Sequence, residues 1–186
     1  MLTTHPHPYE PPVAATGPLP TTVLADIVGG LATATELWRP VAFHDPGGRR
    51  PVRLLATDAY EVWVIGWTTG QHVRPHDHGH SAGALLVVEG ELVEVVPRAG
   101  GPPAERVLEA GPVRHLPVGT VHDVVNRAPE PATSLHVYSP PLSAMTYYDP
   151  ATLVPVATEA VLSVPPVLGR SAASYLLHPA ARRERS

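Results

Sequence analysis

The densest chemistry in the chain is the run Gln71-His72-Val73-Arg74-Pro75-His76-Asp77-His78-Gly79-His80. An extended strand turns alternate side chains to opposite faces. The spacing therefore predicts that His76 and His78 project together and that Asp77 points away. Two imidazoles on one face are a ready start for a metal site with open positions, and a third ligand has to come from elsewhere in the chain. His80 shares that face only if the strand continues through Gly79, and His72, ahead of Pro75, is expected on an approach loop. Satisfied core histidines would give the same His-x-His pattern, so the pair gains meaning only from its surroundings. His5 and His7 show the same spacing, but prolines flank them and nothing fixes their geometry.

Short Val- and Leu-rich runs surround the histidines. Strands are expected at Tyr60–Trp67, Ala84–Val88, Glu91–Val96, Ala104–Leu108, Val113–Pro117, Val121–Asn126 and Thr133–Tyr138. Short strands with turn residues every eight to twelve positions read as a sandwich or barrel. Pro97–Pro103 reads as a surface loop between two halves. Ahead of the strands, Val23, Leu24, Ile27, Val28 and Leu31 recur at helical spacing. One amphipathic helix is expected from Thr22 to about Trp38, with a Thr as N-cap, Gly29 and Gly30 loosening it and Pro40 ending it. Residues 1–20 are expected to be irregular, 21–178 to form a single domain with its core at about 52–149, and 179–186 to be a disordered tail. One more strand or two is expected within 150–178.

Composition narrows the function classes. The 186 residues suit one domain, with 44% apolar and 16% charged residues as in an ordinary globular protein. The formal net charge is −4 and the only dense basic run is Arg182, Arg183 and Arg185, so no nucleic-acid partner is expected. The chain has no cysteine, which removes disulfides, thiolate ligands and a cysteine nucleophile. No apolar run approaches a membrane span and no leader pattern is evident, so the cytoplasm is the default compartment and a monomer the expected state.

The wider spacing resembles the cupin signature. Gly70, five residues, His76-x-His78 and then Gly90 match its first half. Gly111, five residues, Pro117-Val118-Gly119, two residues, His122, three residues and Asn126 match its second half. The resemblance implies a mainly β fold, a cupin jelly-roll barrel with a short N-terminal helical segment, and His122 as the third metal ligand. Cupins usually add a Glu four or five residues after the second histidine, where Ala82 and Gly83 stand. Three neutral imidazoles would leave a bound metal its full charge and suit a substrate that brings its own anion.

Closer still is the resemblance to the cysteine dioxygenase family, carried by His76-Asp77-His78, by the Pro117-to-Asn126 motif, and above all by Ser134-Leu135-His136-Val137-Tyr138-Ser139-Pro140-Pro141. It spans roughly Arg53 to Asp149. The family oxidises L-cysteine with O₂ to cysteine sulfinate on Fe(2+) held by three histidines, a step of cysteine catabolism. The resemblance therefore implies His76, His78 and His122 as iron ligands. It implies Tyr138 near the thiolate and O₂, with His136 and Ser134 behind it. It also implies Arg53 on the substrate carboxylate, with Arg49 and Arg50 as nearby alternatives. The tyrosine often found two residues before that arginine is Pro51 here. Animal members crosslink a cysteine to the tyrosine. Gly83 stands at that place, as in bacterial members, so Tyr138 should be an unmodified phenol. Two alternatives stay open: a dioxygenase for 3-mercaptopropionate or another small thiol, whose enzymes carry glutamine near Arg53, and a non-catalytic cupin that binds a small acid.

Overall fold

The computed structural model describes residues 17–168. The stretches 1–16 and 169–186 lie outside the described residues, and with them His5, His7 and the expected disordered tail. The first element, α1 (Thr21–Thr33), sets Leu24, Val28 and Leu31 on one fully buried face. Burying each such side chain contributes about 1.5–3 kcal/mol. Its N-cap is Pro20, not a threonine, and no side chain caps it. A proline with φ −54° suits a helix start. The expected single helix breaks at Ala34 and resumes as α2 (Thr35–Trp38), followed by a 3₁₀ turn at Arg39–Val41 that holds Pro40. Gly29 and Gly30 are passed without interruption. The break is instead a tightening in which Ala34 N–H donates to the Leu31 carbonyl at 2.9 Å.

Among the described residues eleven strands follow: β1 (Val52–Ala56), β2 (Glu61–Trp67), β3 (His72–His76), β4 (Ala82–Glu89), β5 (Glu91–Arg98), β6 (Gly101–Glu109), β7 (Val113–Leu116), β8 (His122–Val125), β9 (Ala132–Ser139), β10 (Ala144–Tyr148) and β11 (Pro155–Ala160). They form a five-stranded sheet ordered β1-β2-β9-β4-β7 and a six-stranded sheet ordered β11-β10-β3-β8-β5-β6, with every ladder between named strands antiparallel. The fold is a double-sheet cupin jelly roll, as the motif spacing implied.

The five-stranded sheet is buried on both faces. Leu54, Val62, Val64, Ala84, Leu86, Leu135 and Val137 pack against α1 in one cluster. Ile65, Trp67, Leu85, Val87 and Leu116 form the other, together with Leu92 and Val124 of the facing sheet. Two-sided burial explains why β2 reads as Glu-Val-Trp-Val-Ile-Gly-Trp with every residue buried rather than as a clean alternation.

Three expectations change. The expected loop Pro97–Pro103 is the tip of a hairpin, because β5 runs to Arg98 and β6 begins at Gly101. Pro102 and Pro103 are tolerated there because β6 is an edge strand. β10 has no counterpart among the expected strands. It is half-buried throughout and lacks an alternating pattern. His78 lies just beyond the end of β3, although Asp77 N–H still donates to the Thr146 carbonyl at 2.9 Å. Gly90, at the β4–β5 turn, has φ 72°, and a Cβ there would stand 2.6 Å from the Pro131 carbonyl oxygen. Both conditions restrict the turn to glycine.

Candidate metal centre

His76 ends β3, His78 follows it by one outward-facing residue, and His122 opens β8 directly across the ladder from His76. All three are buried, and one ligand nitrogen from each lies within 4.8 Å of the others. Asp77 faces away, as its parity predicts. Its carboxylate accepts the Tyr148 hydroxyl at 2.6 Å and the Gly79 N–H at 2.9 Å, fastening β10 beside the histidines. That bond stabilises the neutral phenol and pushes Tyr148 up to about 12.

Hydrogen bonding selects the free nitrogens. His76 donates Nδ1–H to the Arg74 carbonyl at 2.8 Å, and His122 donates Nδ1–H to Glu94 Oε1 at 3.0 Å. Each keeps Nε2 for a ligand. His78 Nε2 is buried with no hydrogen-bond partner among the described residues. An orphaned imidazole nitrogen beside two others with bare Nε2 atoms is costly for an apo site and fits a metal ion. Burial first, and the neighbouring His122 next, push His76 down to about 3, and burial holds His78 well below its usual range. His76 and His78 are therefore neutral and ready to ligate.

Beside the trio runs the inward face of β9. The Trp67 indole N–H donates to Ser134 Oγ at 2.8 Å, Ser134 Oγ meets His136 Nε2 at 2.8 Å, and His136 Nδ1 meets the Tyr138 hydroxyl at 3.0 Å. The direction of this chain follows from its first member. Indole can only donate, and the fully buried Ser134 hydroxyl has no partner but Trp67 and His136 among the described residues, so giving its own hydrogen to His136 Nε2 is the arrangement that strands no buried serine hydrogen. That makes His136 the Nδ1–H tautomer, which donates to Tyr138. The Tyr138 hydroxyl hydrogen is then free to point into the cavity. Burial pushes His136 down to about 3 and pushes the Tyr138 phenol up, so both are neutral. The Tyr138 ring lies 4.7 Å from that of His78, centroid to centroid. Gly83 pairs with Tyr138 across β4 and β9, and a Cβ there would lie 3.1 Å from the ring.

A family model described as cysteine dioxygenase type I matches residues 22–151. The chain belongs to this family. Among solved structures it is similar to a protein from Thermus thermophilus, at 25% identity over 55% of this chain and 93% of that one, with TM-score 0.48. It is also similar to an uncharacterized conserved protein with a double-stranded β-helix domain from Klebsiella pneumoniae, at 25% identity over 55% and 85%, with TM-score 0.47. A third is a sugar phosphate isomerase from a cupin superfamily of Silicibacter pomeroyi, at 27% identity over 55% and 65%, with TM-score 0.46.

In this cysteine dioxygenase family member His76, His122, His136 and Tyr138 line one cavity of about 240 Å³. Apolar walls come from Trp63, Ile65, Val124, Leu142, Met145 and Val161. Arg53, expected on the substrate carboxylate, stands outside this cavity. Its guanidinium is ion-paired to the buried Glu61 at 2.7 Å and donates to Ser163 Oγ and the Val164 carbonyl, and it is absent from the cavity lining. Arg49, one of the nearby alternatives, lines the cavity instead, its guanidinium 4.9 Å from the Trp67 ring centre. Burial lowers its pKa, and the loop that carries it is pinned where Asp45 pairs with Arg50 at 2.6 Å. His72 is half-exposed near Asp123 and stands apart from the trio.

Sequence reasoning missed Glu94. It sits on β5 with a side chain only 1% exposed, and its second oxygen accepts Arg114 Nε at 2.7 Å. Burial raises its pKa, but hydrogen bonds from His122 and Arg114 outweigh burial and hold it below the usual carboxylate range. The signal was present as a lone carboxylate in the run Leu92-Val93-Glu94-Val95-Val96, at the inward parity of Leu92. Among the described residues no helix is long and apolar enough to cross a membrane.

Proposed function

We propose that this protein is a thiol dioxygenase that converts a small carboxylate-bearing thiol, L-cysteine foremost, to its sulfinate on Fe(2+). The observation that carries the reading is the oriented chain from Trp67 through Ser134 and His136 to Tyr138, which leaves one phenolic hydrogen free beside three ligand-ready histidines. The overall change is R–SH + O₂ → R–SO₂H: both oxygen atoms end on sulfur, sulfur supplies the electrons, and no other reductant is needed. His76, His78 and His122 would hold the iron through Nε2, and the bound metal would supply the open-shell centre that O₂ needs to react with a thiolate.

The chain's own groups do the rest. Arg49 binds the carboxylate with its guanidinium fork. The apolar walls exclude water. Tyr138 donates its hydrogen toward developing negative charge, with His136 fixing the hydroxyl's position. The test is oxygen uptake by iron-loaded protein offered cysteine, 3-mercaptopropionate and cysteamine in parallel. Uptake with the carboxylate-bearing thiols is expected, and no uptake with any thiol sinks the reading. Arg49→Gln should raise KM for the carboxylate thiols and leave cysteamine unaffected, whereas Arg53→Gln should act on stability. His122→Ala should abolish iron retention.

One observation favours 3-mercaptopropionate over cysteine. None of the described residues lining the cavity is acidic, so a cysteine ammonium has no carboxylate to pair with. Cysteine suits the site only if its amine is itself bound as a ligand. A higher kcat/KM for 3-mercaptopropionate would select this second reading.

A further inference from the structure

We infer that Glu94, steered by Arg114, is a positioning residue that locks His122 in its Nδ1–H tautomer and so keeps Nε2 bare for the metal. Three elements meet here: Glu94 on β5, His122 on β8 and Arg114 on β7 of the opposite sheet. Register sets Glu94 opposite Val124, two residues beyond His122, on the inward face. The two carboxylate oxygens are divided, Oε1 to His122 Nδ1 at 3.0 Å and Oε2 to Arg114 Nε at 2.7 Å. Arg114 is held in turn, donating Nη1–H to the His115 carbonyl at 2.7 Å.

The division matters because the two partners differ in what they can do. A guanidinium is always a donor. With Arg114 on one oxygen, Glu94 presents His122 only with an acceptor, so Nδ1 has to carry the hydrogen. His76 receives the same instruction from a neutral backbone carbonyl, and His122 alone of the trio receives it from a carboxylate. The cupin position that usually supplies a carboxylate ligand holds no acid here, and Glu94 sets its charge one hydrogen bond behind the ligand instead. An ion pair that merely joined the two sheets would need only Arg114 and one oxygen. The inference rests on the metal centre and is independent of thiol chemistry.

Glu94→Gln separates these roles. An amide has one acceptor and one donor end, and Arg114 claims the acceptor. The NH₂ then faces His122 and inverts its tautomer to Nε2–H. Metal affinity should fall about 10–100-fold, the usual cost of losing such a partner. Combining Glu94→Gln with Arg114→Met frees the amide oxygen for His122 and should recover the Nδ1–H tautomer and most of the lost affinity. A purely structural ion pair predicts the opposite order, with the double variant no better than the single one. The measurements are Fe(II) and Co(II) titrations and the ¹⁵N imidazole shifts of the metal-free protein. Wild-type affinity in Glu94→Gln, or no recovery in the double variant, overturns the inference. If either variant fails to fold, the wild-type shifts decide: Nε2–H on His122 in the metal-free protein also overturns it. Failure of the wild type to bind metal would instead sink the metal centre itself.

Discussion

Every residue of β9 from Ala132 to Ser139 is buried, yet its two faces are buried against different surroundings. Leu135 and Val137 pack with Leu24, Val28 and Leu31 of α1. Ser134, His136 and Tyr138 face the metal trio and are polar. Burying the first face is favourable by about 1.5–3 kcal/mol per side chain. Burying the second is tolerable only because each polar atom finds a partner, and such bonds add a net of just about 0.5–1.5 kcal/mol each. One strand thus divides its work. The helix-side face holds β9 still, and the cavity-side face uses that rigidity to aim a hydroxyl.

The division can be tested from both sides. Leu135→Ala should cost the largest amount, about 2–5 kcal/mol of stability in a urea melt, while activity per folded molecule stays unchanged. A large loss of kcat in the folded fraction would show that the faces are not separable. Tyr138→Phe should do the reverse, cutting the rate about 10²–10³-fold with metal content and melting midpoint retained. Ser134→Ala falls between the two. It strands the Trp67 indole N–H and His136 Nε2, so it should cost about 1–3 kcal/mol of stability and also lower kcat as the Tyr138 hydroxyl loses its fixed orientation. An effect on only one of the two would cut the chain at that link.

The smallest effect is a pH slope. Burial holds His136 at about 3, below the ordinary 6.5 of the unfolded chain. The unfolded state therefore takes up the proton first as pH falls. The contribution of neutral His136 is complete above about pH 6.5 and is lost toward pH 3, at about 1.4 kcal/mol per pH unit within that window. Urea midpoints of metal-free wild type and His136→Asn at pH 7 and pH 5 should show the shallower slope in the variant. Equal slopes would mean that the polar face opens to water.

Much of the cavity-side face was legible before the fold was known. His76 and His78, and Ser134, His136 and Tyr138, are separated by two residues, and alternation in extended chain is a local property that needs no tertiary information. β10 was not legible, because its half-buried residues carry no period and its place depends on Asp77 holding Tyr148 from another strand. The helix start was misread because a proline with suitable φ replaced the side-chain cap that the rule looks for.

The sequence by itself determined the His76-His78 pair and the polar row, since each is a two-position spacing that backbone geometry converts directly into a shared face, while resemblance to the cupin signature implied the fold and His122. Only the tertiary structure decided which arginine reaches the cavity and which carboxylate stands behind His122. Arg49 and Arg53 are four positions apart and chemically identical. Glu61, Ser163 and Val164, brought in from other elements, occupy Arg53 and leave Arg49 to the site. Glu94 reaches His122 from β5, and Arg114 reaches Glu94 from β7. Such non-local meetings depend on sheet order and register, which no single stretch of sequence contains.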